Sequence, residues 1–359
     1  MAPAGRRAPR GGRGRARRRR PRRARVPPAP GRLTLRGPWP RARGGEGVPP
    51  STTLAATRDG DSGGASVGSV PDTTGLGGHP LAPARPPHTP ATLGGPPESA
   101  VTSPAGLTPH GAPPIYFTFA GLARLGVPHA TTTRHCPGVA SFAEAIDARA
   151  PRPPFGPETG PALRPAGLDL ARVAYARQVH GAAAAPAPAG GGFAGSVDVV
   201  TTGARALPLA IFTADCLAIV LHDPGAPALA AAHVGWRGTV RGAAQAAVRA
   251  LAALGARAGR VHAAIAPSIG PCCYEVDEPV TRDLARAYPG RWEAWTRPAA
   301  GAGRVMLDLW AANEALLAEA GVDPARIENP RLCTACHPEL LFSYRRGNRG
   351  RLVTLAALP

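Results

Sequence analysis

Apolar residues gather in short bounded runs over the last two thirds of the chain and are sparse before them. Runs at 115–119, 171–179, 197–202, 209–213, 217–221, 228–234 and 261–266 have the length of strands. Between strands the period changes. Val240, Ala243, Ala244, Ala247, Val248, Leu251 and Leu254 recur on one helical face, with Arg241, Gln245 and Arg249 off it, and Thr239 opens the pattern. A second helix is predicted over 308–320, ended by Gly321 and Pro324. Strands and helices mix without strict alternation, and no repeat of about 20–50 residues is visible. The pattern predicts an α+β fold, a single compact domain over residues 114–359 with a mixed β-sheet core flanked by helices.

Residues 1–113 lack any periodic apolar face and crowd Arg, Pro and Gly. Such a segment cannot bury enough apolar surface to offset its ordering entropy, so a disordered basic tail is predicted there. It holds 18 Arg against 5 acidic residues, whereas 114–359 hold 24 against 18, so most of the net +19 sits on the tail. The run Arg17–Arg20 invites non-specific phosphate contacts with nucleic acid, but no aromatic platform accompanies it. Every basic side chain is Arg, with no Lys at all, which marks a compositional bias and weakens the charge as a functional signal. Six Cys in 359 residues do not make a disulfide framework. No apolar run of about 18 residues offers a membrane span, and no apolar core of about 7–15 residues follows the basic N-terminus. A cytoplasmic protein with reduced thiols is expected.

Three strand ends deliver metal-ligand chemistry. His180 follows a strand in Gln178-Val-His-Gly181, Cys216 stands between two apolar runs, and His233 ends a strand before Gly235-Trp-Arg-Gly238. Imidazole and thiolate are the ligands Zn²⁺ prefers, and three of them leave a fourth position open, the pattern of catalytic zinc. The turn after His233 adds an anion-binding look. Gly235 and Gly238 loosen the backbone, Arg237 offers a planar fork, and a helix start follows.

Five motifs stand in order: Gln178-Val-His-Gly181, Thr213-Ala-Asp-Cys216, His233-Val-Gly-Trp-Arg-Gly238, Pro267-Ser-Ile-Gly-Pro-Cys-Cys-Tyr-Glu-Val276 and Phe342-Ser-Tyr-Arg-Arg346. Together they resemble the laccase-domain family of purine nucleoside phosphorylases, also described as polyphenol-oxidase-like or peptidoglycan-editing proteins, over about 126–354. The resemblance implies that His180, Cys216 and His233 are metal ligands, for zinc or alternatively copper. It further implies phosphorolysis of adenosine, inosine and methylthioadenosine, with purine nucleosides and inorganic phosphate as partners, and adenosine deamination at the same centre. Zinc suits this chemistry because it lowers the pKa of water it binds toward about 7. Asp215, beside Cys216, is the candidate proton carrier, and Arg237 is the candidate phosphate contact. Arg134 is a candidate substrate contact, although its segment keeps only Thr133-Arg134 and part of the Gly-Gly-Val-Ser that usually follows.

Other readings compete. Cys333-Thr-Ala-Cys-His337 matches the covalent haem signature, which needs an exported protein. A zinc knuckle there lacks two well-spaced partners, since the vicinal pair Cys272–Cys273 is a poor geometry for it. A copper polyphenol oxidase would need more His than the two in the site. A nucleic-acid binder working through the tail would lose its function on deletion of 1–113, whereas catalysis would survive.

Overall fold

Two adjacent seven-residue strands, each buried along its whole length, form the centre of the protein: β9 (Leu217–Asp223) and β10 (Ala228–Val234). Complete burial requires cover on both faces, and the period-two alternation of their side chains shows what covers each. The computed structural model describes residues 106–139 and 155–359. Leu217, Ile219, Leu221, Ala228, Ala230, Ala232 and Val234 point to a helical layer. Ala218, Val220, Leu229 and Ala231 point to a second sheet. Each Leu or Ile so enclosed contributes about 1.5–3 kcal/mol.

The sheet of β9 and β10 has the order β15 (Ile327–Glu328), β11 (His262–Ile265), β9, β10, β7 (Val199–Thr202), β5 (Ala184–Pro186). The facing sheet has seven strands in the order β1 (Leu107–His110), β2 (Tyr116–Phe119), β3 (His129–Thr132), β16 (Leu352–Ala356), β8 (Leu209–Thr213), β4 (Ala174–Tyr175), β6 (Gly192–Phe193). A small third sheet joins β12 (Glu275–Val276), β14 (Val305–Leu307) and β13 (Thr296–Pro298). Both large sheets mix parallel and antiparallel pairs. The mixed-sheet α+β class expected from the sequence therefore holds, with the core built from two facing sheets. Short helices α1 (Ala120–Arg124) and α2 (Thr159–Leu163) lie outside the helical layer, which consists of α3 (Trp236–Val240), α4 (Ala243–Ala252), α5 (Glu278–Ala287) and α6 (Leu309–Glu319). Small side chains set the close approach of this layer, since Ala243, Ala244 and Ala247 of α4 share a cluster with Ala228, Ala230 and Ala232 of β10.

Three expectations change. The domain was expected to start at 114, but β1 begins at Leu107 and pairs antiparallel with β2 from Leu107↔Phe119 to His110↔Tyr116. Pro109 and Gly111 hide this strand in the sequence; at a sheet edge Pro costs no ladder bond. Residues 1–105 of the expected tail lie outside the described residues. The helix expected from Thr239 is two helices, because Gly242 sits in the left-handed region (φ 75°) and separates α3 from α4. The run at 171–179 is a 3₁₀ turn (Leu170–Arg172), the two residues of β4 and a loop, so only its middle is strand. Among the described residues no helix is long and apolar enough to cross a membrane.

Candidate functional site

The chain leaves one large sheet for the other between β8 and β9, and Cys216 stands at that crossing, next to Leu217. His233 lies near the end of β10 and is buried. His180 follows β4, whose ladder beside β8 is prolonged by the Gln178 side chain. The Gln178 amide donates to the Phe212 carbonyl (2.7 Å) and accepts its N–H (2.8 Å). These paths bring a ligand atom of each of His180, Cys216 and His233 within 4.8 Å of the others. The two imidazoles meet edge-on, with centroids 4.8 Å apart at 81°. Gly235 completes the enclosure: a Cβ there would stand 2.7 Å from Cys216 Sγ and 3.5 Å from His180 Cδ2. Its φ of −87° is open to any residue, so glycine is needed here for space.

Asp198, fully buried just before β7, organises the group, and sequence reasoning passed over it. Its Oδ1 accepts the His180 N–H (3.0 Å) and His233 Nδ1 (2.8 Å); its Oδ2 accepts the N–H groups of Val179 (3.2 Å) and Gly181 (2.6 Å). Successive N–H groups curled around one carboxylate make an anion nest, and the left-handed φ of His180 (56°) allows the curl. The sequence signal was an acidic residue inside the apolar run Val197-Asp-Val-Val200. Arg241 closes the other side by donating to the His180 carbonyl. With Nδ1 of His233 bound to a carboxylate, Nε2 is the nitrogen left for a metal, the arrangement that zinc-ligating His adopts.

Without a metal, the electrostatics favour a buried thiolate–imidazolium pair, whose proton a metal would displace. Burial pushes the Cys216 thiol up, but the charge and hydrogen bonds of His233 and His180 outweigh it and bring the thiol down to about 6. Burial pulls His233 down, and Cys216 with Asp198 reverses this to about 9. The sulfur is therefore poised as thiolate, the form that binds metal. A donor set of one thiolate and two imidazoles, oriented by a carboxylate, fits Zn²⁺.

The other candidates stand as follows. Asp215, in the left-handed region at φ 92°, has both carboxylate oxygens engaged. Oδ1 accepts the Thr334 hydroxyl (2.7 Å) and Oδ2 the Arg345 N–H (2.7 Å). Arg237 is exposed, its guanidinium 4.2 Å from the Trp236 ring centroid. The helix start expected to bind anions beside it is only the five-residue α3, so any anion there depends on guanidinium groups. Arg134 donates to the Pro338 carbonyl and lies 5.3 Å from the Phe342 ring centroid, which ties it to the 338–342 segment. Tyr274 and Arg345 were not singled out, though the last two motifs contain them. Burial raises the Tyr274 phenol, with Cys216 and Asp215 raising it further and Arg345 and Arg237 opposing. A protonated phenol thus stands among the thiolate, the carboxylate and two guanidinium groups. Among the described residues the large apolar side chains left exposed are Val179 (43%), next to His180, and Tyr344 (62%), next to Arg345.

Residues 161–359 match the family model described as multi-copper polyphenol oxidoreductase laccase. A purine nucleoside phosphorylase of Deinococcus radiodurans is 39% identical over 243 residues, spanning 66% of this chain and 90% of that protein. The adenosine deaminase RL5, from an unknown prokaryotic organism, is 38% identical over 44% of this chain and 61% of its own length. The crystal structure of YlmD from Geobacillus stearothermophilus superposes with a TM-score of 0.59 at 27% identity, over 68% of this chain and 96% of that one. By the family match and by the Deinococcus relative alike, the chain belongs to the laccase-domain enzyme family that includes this purine nucleoside phosphorylase.

Proposed function

We propose that this protein is a zinc-dependent purine nucleoside phosphorylase acting on adenosine, inosine and methylthioadenosine, with adenosine deamination at the same centre. The observation that carries the reading is the convergence of His180, Cys216 and His233, with His233 oriented by buried Asp198. Zinc held by these three would supply Lewis-acid activation of water for the deamination. The chain's own residues account for the rest. Arg345, 5.3 Å from the Tyr274 ring centroid, and exposed Arg237, whose charge also reaches that phenol, offer two guanidinium forks for inorganic phosphate. Phosphorolysis breaks the bond from ribose C1′ to the purine nitrogen and forms one from C1′ to a phosphate oxygen, and the departing base takes a proton. That proton comes from water, while Tyr274, held as the neutral phenol, can donate a hydrogen bond to the departing base. Asp215, its oxygens engaged by Thr334 and Arg345, acts in this reading as a positioning residue that ties both segments to the Cys216 loop. Exposed Tyr344 gives the purine ring a surface to stack on.

The test incubates zinc-replete full-length protein with adenosine, with and without phosphate, and reads adenine and inosine separately. Adenine formed only with phosphate, and inosine formed without it, is the expected result. No turnover of adenosine under either condition would overturn the reading. The description of the matching family model supports a copper polyphenol oxidase as second reading, since one sulfur and two imidazoles also suit copper. Oxygen uptake with a phenolic substrate by copper-loaded protein would favour it.

A further inference from the structure

A second cluster of soft ligands lies outside this triad. Residues 267–274 and 332–337 run side by side, with Ser268 and Cys333 bridged in parallel. The Ser268 N–H donates to the Leu332 carbonyl (3.2 Å), and the Thr334 N–H donates to the Ser268 carbonyl (3.0 Å). This pairing brings Cys272 and Cys273 of one segment against Cys333 and Cys336 of the other. Cys336 Sγ is 3.4 Å from Cys272 Sγ and 3.5 Å from Cys273 Sγ, and all four sulfurs lie within 4.8 Å of one another. The vicinal pair, judged a poor geometry from sequence, converges because the chain turns at Gly270, whose carbonyl accepts the Cys273 N–H (3.0 Å). All four are free thiols.

The distances suit one ion. Four sulfurs held tetrahedrally at about 2.3 Å from zinc stand roughly 3.8 Å apart, inside the range observed. Cys333 and Cys336 have the Cys-x-x-Cys spacing by which one turn gives two thiolates to a metal. The backbone also meets the first of them: the Gly270 N–H donates to Cys333 Sγ at 3.2 Å. Haem attachment, the other use of this spacing, needs both sulfurs accessible, and Cys333 is buried.

We propose that Cys272, Cys273, Cys333 and Cys336 form a second metal site, a tetrathiolate zinc centre with a structural role. Four protein ligands leave no open position, so the ion holds the two segments together and takes no part in turnover. Both segments grip Asp215, through Ile269 N–H to its carbonyl (2.9 Å) and the Thr334 hydroxyl to its carboxylate (2.7 Å). Tyr274 follows Cys273 directly. The staple therefore sets the loop that leads into Cys216 and the residue that faces it.

The experiment measures zinc per chain in full-length protein purified under reducing conditions. Two equivalents are expected in the wild type, one in Cys336→Ser, one in His233→Ala, and none in the double variant. Because Cys336→Ser can impair folding, the His233→Ala protein is also loaded with Co²⁺. Intense sulfur-to-cobalt charge transfer with tetrahedral ligand-field bands supports a tetrathiolate site. A wild type holding one equivalent that His233→Ala removes entirely would overturn the proposal. So would a Cys272–Cys336 disulfide in the zinc-replete native protein.

Discussion

Replacing Asp198 by Asn tests whether a buried carboxylate, unseen by motif, governs the triad. The amide keeps shape and volume but exchanges one acceptor oxygen for a donor. If the NH₂ group takes the place of Oδ2, it confronts the N–H groups of Val179 and Gly181, and both donors lose their carboxylate partner. Both bonds are part-buried, so water can meet the freed donors and the metal-free fold loses about 0.5–1.5 kcal/mol for each. If the NH₂ group takes the place of Oδ1, it confronts the His180 N–H and forces His233 to accept at Nδ1. His233 then carries its proton on Nε2, the nitrogen needed by the metal. Either rotamer removes the charge that orients the ligand, a change that commonly costs about 10–100-fold in metal affinity. Competition with a graded series of chelators reads that factor, and thermal unfolding without metal reads the stability loss. An Asn variant with wild-type zinc affinity and an unchanged melting temperature would refute the role given to Asp198.

Gly235→Ala should lose zinc from the triad while keeping its fold, because the new methyl meets Cys216 Sγ at 2.7 Å; elemental analysis beside circular dichroism checks both parts. Arg237→Ala removes a charge-assisted phosphate contact of about 1.5–3 kcal/mol, so phosphate-dependent adenine release should fall roughly ten- to a hundred-fold while phosphate-independent inosine formation changes far less. Equal loss of both would assign Arg237 to the scaffold. Tyr344→Ala should raise the nucleoside KM without moving the melting temperature, since the ring is 62% exposed and its removal leaves no cavity. Asp223 gives a pH prediction. Burial raises its carboxyl, but Arg260 and the N–H groups of Arg257 and Gly225 outweigh this and hold it below the ordinary 3.8. The folded state thus releases this proton more readily than the unfolded one, so the contribution is complete above about pH 4 and disappears as pH falls through the folded value. The stability gap between wild type and Asp223→Asn should be full at neutral pH and shrink in acid, as denaturant melts across pH would read.

What was legible in the sequence followed from local signals. Strands β8 and β10 carry the bounds expected of them, because continuous apolar runs there end at residues that turn the chain. His180, Cys216 and His233 stood out because each ends or joins such a run. Asp198 did not, since its meaning comes from four donors supplied by segments distant in sequence. Tyr274 and Arg345 lay within motifs already quoted, yet nothing local says that one faces Cys216 and the other binds Asp215. The four-cysteine cluster was set aside for a related reason: its halves are 60 residues apart along the chain, and the Ser268–Cys333 bridge that brings them together leaves no local signal. Strand β1 was lost to composition, as Pro and Gly at a sheet edge read like a tail.

The Gln178 amide has a consequence for how the triad withstands insertions and deletions. His180 is keyed to β8 through that amide, Cys216 follows β8 in the same chain, and His233 is paired across the ladder with Ala218, two residues beyond Cys216. Ligand spacing is therefore fixed by strand register, and loop length has no part in it. Extra residues in the hairpin between β9 and β10 would leave the three donors in place. A single residue removed from within β9 would turn its inward and outward faces over and separate His233 from Cys216 with most of the core still apolar.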